Sequence, residues 1–169
     1  MNKFSVTHEF ACKPETYWKL NFDREMNEAL YKRLGFPDYT NLEQRETDTE
    51  VFRRTQATPK MELPAAVQKV LGSGFKYTEE TRWDKRTNRS TFKGIPSTMP
   101  DKLTTDGIMR IDAVGADRCR RTVDFTVEAK VMLVGGIMES TAEKQMRDAY
   151  DKNAAFVNEW IKSHGLTGT

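Results

Sequence analysis

Residues 118–138, RCRRTVDFTVEAKVMLVGGIM, join two patterns of different period. From Arg118 to Val131 the residues alternate. Cys119, Arg121, Val123, Phe125, Val127, Ala129 and Val131 share one face, and Arg118, Arg120, Thr122, Asp124, Thr126, Glu128 and Lys130 share the other. A period of two with one largely apolar face predicts a half-buried antiparallel strand. Past Val134-Gly135-Gly136 the period lengthens. Met138, Ala142, Gln145, Met146, Ala149, Asn153, Phe156, Val157 and Trp160 fall within about 100° of arc at 3.6 residues per turn. This predicts one long amphipathic helix from Val134 to Ser163. A long strand feeding such a helix suggests a sheet that closes around it. Whether the space between them is filled or hollow decides the function.

Working outward, Phe4, Val6, His8 and Phe10 alternate with polar residues and predict a first strand. Pro14 suits the first turn of a helix, where its missing N–H costs nothing. Residues 15–34 then read as two short helices broken near Asn21 to Asp23, with Gly35 as the stop signal. Strands are predicted at Tyr39–Thr47, Glu50–Ala57, Phe75–Asp84, Ser90–Ile95, Leu103–Ala113 and Arg118–Val131. The breaks between them carry turn residues, such as Lys85-Arg86-Thr87-Asn88 and Gly115-Ala116-Asp117, which favours an antiparallel meander. The segment Thr58–Gly74 stands apart. Pro59 and Pro64 bracket its start, Ala65–Leu71 fits two helical turns, and Gly72-Ser73-Gly74 ends it.

The bulk numbers bound the class. At 169 residues the chain predicts a single domain, 1–169, able to bury a core without staples. It carries 27 basic and 25 acidic residues, a balance that gives no support for nucleic-acid binding. Two cysteines are too few for a disulfide framework. Met1–Glu9 has no apolar signal region, and the longest apolar run, Val131–Met138, is far shorter than a membrane span. The expectation is a cytoplasmic protein.

Recognised chemical motifs are missing. His8, Cys12, Cys119 and His164 show no metal-ligand spacing, and no cofactor is expected. Strand parity allows Cys12 and Cys119 to be neighbours; two independent half-buried thiols is the simpler expectation. No nucleophile elbow is present. Gly72-Ser73-Gly74 lacks the lysine and following helix of a phosphate loop, so it reads as a hinge. The basic stretch Arg82–Arg89 reads as a solvated hairpin.

The order of elements is one strand, two short helices, six strands and one long helix. Together with Val134-Gly135-Gly136-Ile137-Met138-Glu139 and Phe156-Val157-Asn158-Glu159-Trp160-Ile161, it resembles the START-like, helix-grip (SRPBCC) superfamily over essentially the whole chain. That superfamily includes plant pollen-allergen proteins, polyketide cyclases and START lipid-transfer domains. The chain looks like an uncharacterised, mainly bacterial branch. The resemblance implies an α+β fold: a curved seven-stranded antiparallel sheet wrapped around the C-terminal helix, with two short helices after the first strand. Inward parity alone is compatible with a filled core or a cavity; the resemblance implies a cavity. Its expected wall is Trp18, Phe75, Tyr77, Phe92, Met109, Phe125, Val127, Met138, Ala142, Met146 and Ala149. His8, Glu79 and Arg121 share the inward parity and are the candidate polar anchors. In a helix-grip protein an insert such as Thr58–Gly74 lies over the cavity mouth, so Met61, Leu63, Val67, Gly72 and Gly74 are the expected gate. Pro96–Pro100, with Met99 at its tip, is a second candidate lid.

The function expected is non-catalytic binding, carriage or transfer of one hydrophobic small molecule, a lipid of sterol or isoprenoid type, with transient contact to a membrane surface. The rival is a small cyclase or hydrolase on the same fold, using His8, Glu79 or Arg121 as acid, base or oxyanion partner. A third reading is an interaction protein with a filled core.

Overall fold

A computed structural model describes residues 1–60 and 62–169. The deciding stretch folds as its two periods demand. β7 (Arg118–Ala129) buries Cys119, Arg121, Val123, Phe125 and Val127 and leads into α4 (Gly135–Ser163). The strand stops two residues earlier than expected. The chain turns there, with Leu133 held at a φ of 69°. Gly135 lies so close to the Ala129 carbonyl that a Cβ at this position would collide with it. Glu139, in the second turn of α4, then accepts a hydrogen bond from the Ala129 N–H at 2.9 Å.

β7 pairs on one side with β1 (Asn2–Phe10), antiparallel, with Phe4 opposite Phe125, Val6 opposite Val123 and Phe10 opposite Cys119. The Phe4 and Phe125 rings stack at 4.8 Å. On its other side lies β6 (Leu103–Val114), followed by β5 (Arg89–Pro96), β4 (Tyr77–Asp84), β3 (Glu50–Ala57) and β2 (Thr40–Glu46). The seven strands form one sheet in the order β1-β7-β6-β5-β4-β3-β2, every neighbour antiparallel. β2 to β7 is the expected meander. Gly107 on β6 makes room for curvature and packing: a Cβ there would overlap the Phe92 ring and the Asp124 carbonyl.

The two short helices are α1 (Pro14–Phe22) and α2 (Arg24–Leu34). Asp23 separates them. Its extended backbone ends α1, and its Oδ1 caps α2 by accepting from the Met26 N–H at 2.7 Å. α3 (Ala65–Leu71) falls in the proline-bracketed insert and buries Val67 and Leu71.

α4 packs on β1, β7 and α2. Its most buried stripe differs from the expected one in the last turns. Ala154, Val157 and Ile161 are buried, whereas Phe156 and Trp160 are only partly covered. Trp160 instead stacks on His164 at 3.9 Å. The C-terminal half of α4 is clamped between β1 and α2, so the residues between those two elements become the core. The expected stripe describes the N-terminal half, where α4 faces the concave sheet.

Apolar burial is divided. A large cluster under α1 and α2 holds Phe10, Trp18, Val123, Val157 and Ile161. A smaller cluster under α3 holds Val67, Leu71 and Met138, with Leu63, Phe75, Met99 and Leu103 packed against it.

Candidate ligand cavity

Between these two clusters the sheet and α4 part, still touching where the Tyr150 ring meets Phe125 edge-on at 5.1 Å, and they border a partly open cavity of about 370 Å³. This lies at the small end of the range for ligand pockets, roughly 300–1,000 Å³. The concave sheet contributes Phe75, Tyr77, Phe92, Met109, Phe125 and Val127, and α4 contributes Met138, Ala142, Met146 and Ala149. The alanines set the gap, because a methyl group cannot reach across to the strands. Leu63, Val67 and Leu71 of the insert also line it.

Some expected site residues lie elsewhere. Trp18 is not on this wall. It is 1% exposed and stacks on Trp83 at 4.7 Å, because α1 turns its apolar side to the closed end of the sheet. Gly72 and Gly74 lie behind α3, away from the wall, at φ values of 74° and 75°. Met61 is outside the described residues. His8 is also off the wall.

His8 serves a different purpose. Its Nε2 meets Asp151 at 2.7 Å and its Nδ1 meets the Arg121 guanidinium at 3.1 Å. Arginine only donates, so Nδ1 accepts and Nε2 carries the proton that goes to Asp151. Both ring nitrogens are committed to holding Arg121. That arginine is 2% exposed and reaches the cavity wall. Its Nη1 donates to the Tyr17 hydroxyl at 3.0 Å and to Asn153 Oδ1 at 2.6 Å. Its guanidinium lies over the Phe10 and Tyr150 rings, at 5.1 and 4.8 Å, and its Nε has no partner.

Further polar groups share the wall. Arg53 of β3 is 7% exposed, donates from Nη1 to the Asn21 carbonyl at 2.6 Å, lies over Phe22 and leaves Nε unpartnered. Ser90 is fully buried and its Oγ has no partner. Glu79 accepts from the Thr81 hydroxyl at 3.1 Å. Burial, reinforced by the Glu79 charge, pushes the Tyr77 and Tyr150 phenols up, so both remain neutral hydrogen-bond donors. For Tyr150 the pull of Arg121 and Arg53 opposes this rise without cancelling it.

Arg53, Ser90 and Tyr150 were not among the expected wall residues. The parity of β3 exposes the first: Val51, Arg53, Thr55 and Ala57 alternate inward, and all four are buried. Tyr150 lies four residues after Met146 and three before Asn153, at the edge of the expected stripe, so helical spacing marks it once the stripe is widened by one residue.

Cys12 and Cys119 are both free and buried, and they are neighbours. The hydrogen bond between them holds the Cys12 thiol below its ordinary range and, with burial, drives the Cys119 thiol far above it. The expectation of two independent thiols is therefore corrected. The cause is the β1–β7 register, which sets Phe10 opposite Cys119 and leaves Cys12 just beyond the strand end. Among the described residues no cluster of three or more His, Cys, Asp or Glu side chains is placed to hold a metal ion, and no helix is long and apolar enough to cross a membrane.

A family model described as "Protein of unknown function (DUF2505)" matches residues 5–161. The chain belongs to that family. No curated protein matches it. Among solved structures, one from Thermus thermophilus superposes with a TM-score of 0.65 at 17% identity, covering 96% of this chain and 99% of the other. The Zhui aromatase/cyclase from a Streptomyces species gives 0.58 at 14%, covering 95% and 93%. A START superfamily protein from Mycobacterium smegmatis gives 0.58 at 16%, covering 95% and 97%. At these identities the likeness shows the fold. This member of the DUF2505 family has the START-like helix-grip architecture, which hosts START superfamily proteins and aromatase/cyclases alike.

Proposed function

We propose that the protein binds one hydrophobic small molecule in its internal cavity and carries it without chemical change. The observation that supports this is the gap itself. A folded interior is normally packed to the density of an organic crystal, and a void loses contacts along its whole lining. Here about 370 Å³ stays open between aromatic and methionine side chains on the sheet and alanines on α4. Methionines such as Met109, Met138 and Met146 adapt to apolar guests of varied shape.

The cyclase or hydrolase reading draws less support. A general base must reach the proton it takes. His8 lies off the wall with both nitrogens engaged, which leaves Glu79 as the acid-base candidate among the expected anchors.

Transfer to or from a lipid surface belongs to the same proposal. Met132 and Leu133 are 87% and 93% exposed in the turn that leads from β7 to α4. That turn adjoins the small cluster that closes the cavity, through Val131 and Val134.

The test is a substitution that fills the gap. Ala149→Phe should remain folded, because the void accepts the ring, and should lose ligand binding. In a filled core the same change would overpack and destabilise by about 1–3 kcal/mol. Equilibrium unfolding and native mass spectrometry of both proteins, purified from the source organism, separate the outcomes. A wild type that carries no small molecule and binds no lipid would defeat the proposal.

A further inference from the structure

The arginines of this molecule are distributed unusually. On the outer surface Arg45, Arg54, Arg82, Arg110, Arg118 and Arg120 each meet a carboxylate within 3.2 Å. There, solvent already screens the charge and the ion pair adds little. The two arginines that most need a counter-charge, Arg53 and Arg121, are 7% and 2% exposed. Their hydrogen bonds go to a carbonyl, a phenol, an amide oxygen and an imidazole. Each also leaves its Nε unpartnered. A buried cation without an anion is costly, and a protein with 25 acidic residues does not lack candidates.

Both guanidiniums line the cavity, and so do the unpartnered Ser90 hydroxyl and Tyr150. Glu79 is the acidic wall residue whose charge acts on the Tyr150 phenol. Its backbone is opposite Thr55, one inward position along from Arg53, yet its carboxylate bonds Thr81 and forms no ion pair with either arginine. Counting Arg53, Arg121 and Glu79, this part of the wall carries one positive charge in excess. The other charged residues of the lining, Lys60, Glu128, Asp148 and Lys152, cancel among themselves, and Lys60, Asp148 and Lys152 are exposed. The rest of the wall is largely apolar. An arginine fork facing an apolar chamber selects a planar anion on an apolar body.

Resting on the cavity reading above, we propose that the ligand is an ionised carboxylic acid with an apolar body, its carboxylate seated between Arg53 and Arg121 at the Tyr150 end. Arg53 and the Tyr150 hydroxyl donate to it, and Arg121, fixed by His8, Tyr17 and Asn153, supplies the second charge. Glu79 sits further along the wall and opposes the anion. It limits affinity, which suits a carrier that must also release.

The test compares acids with alcohols of the same body by isothermal titration calorimetry. Dodecanoate with dodecanol probes a straight-chain body, and naphthoate with naphthol a flat aromatic one. The wild type should bind at least one acid roughly tenfold to a hundredfold more tightly than its alcohol, the scale of a charge-assisted hydrogen bond. Arg53→Met should abolish that preference. Glu79→Gln should tighten acid binding severalfold relative to alcohol binding. A gain of this kind cannot arise from misfolding, so it decides the matter if Arg53→Met fails to fold. Equal affinity for acid and alcohol, or no gain in Glu79→Gln, would overturn the acid assignment while leaving the cavity reading intact. Failure of all four compounds to bind would overturn both.

Discussion

Ile161 and Trp160 are neighbours on α4 with opposite fates. Ile161 is fully buried between β1 and α2, and Trp160 lies at the edge against His164. Ile161→Ala should cost about 2–5 kcal/mol in urea unfolding, and Trp160→Ala clearly less, although it removes more atoms. The reverse order would mean that the helix is rotated from the orientation described. Periodicity alone could not separate these two residues. It marks the face turned to the sheet, but a second partner, α2, shifts the buried stripe by one residue. Side-chain direction in strands was much easier to read. Parity on β7 places Arg121 inward next to Val123, and it is there. What parity cannot show is whether an inward arginine finds a carboxylate. Arg53 and Arg121 do not, and that fact depends on side-chain geometry over residues far apart in the chain.

At the scale of elements, the meander was legible because its turns are short and each strand alternates. The order of the strands beyond that required one further inference, that β1 closes against β7. α3 was legible as two turns between prolines, but its role depends on what it covers. It buries Val67 and Leu71 against Met138, outside the sheet. Val67→Ala and Val123→Ala remove the same atoms from two different clusters. Val123→Ala should lower global stability by roughly 1.5–3 kcal/mol. Val67→Ala should lower it less and speed ligand release in stopped-flow exchange, because α3 can lift without breaking a strand pair. Unchanged release would remove α3 from the exit route. The start of α4 carries its own dependence on pH. The Ala129 N–H, and then the N-terminal ammonium, hold Glu139 below its ordinary value of 4.5. Its contribution to stability is therefore complete above that value and is lost as pH falls through the lower, folded-state one. Glu139→Gln should flatten the acid limb of the stability profile; an acid limb identical to that of the wild type would show that the contact contributes nothing.

For the whole molecule, the division of apolar burial into two clusters is what turns a sheet and a helix into a container. One cluster alone would have left either an open trough or a solid core. The sequence shows enough apolar residues for both clusters but not the gap between them, because a void has no residues of its own. The closure of β1 against β7 has another consequence, in time. Phe4 pairs with Phe125, so the first strand has no neighbour in the sheet until the last strand exists. At a synthesis rate of about 5–20 residues per second, that separation corresponds to a wait of roughly ten seconds. Throughout it Phe4, Val6 and Phe10 are without their strand partners, and the meander of β2 to β6 has an unpaired edge. Chains arrested on the ribosome before β7 emerges should be cleaved readily by protease within β1, and chains arrested after α4 emerges should resist. Early protection of β1 would point to a different assembly order. The strand made first is the one that folds last, and chaperone demand should be set by that interval more than by the stability of the finished protein.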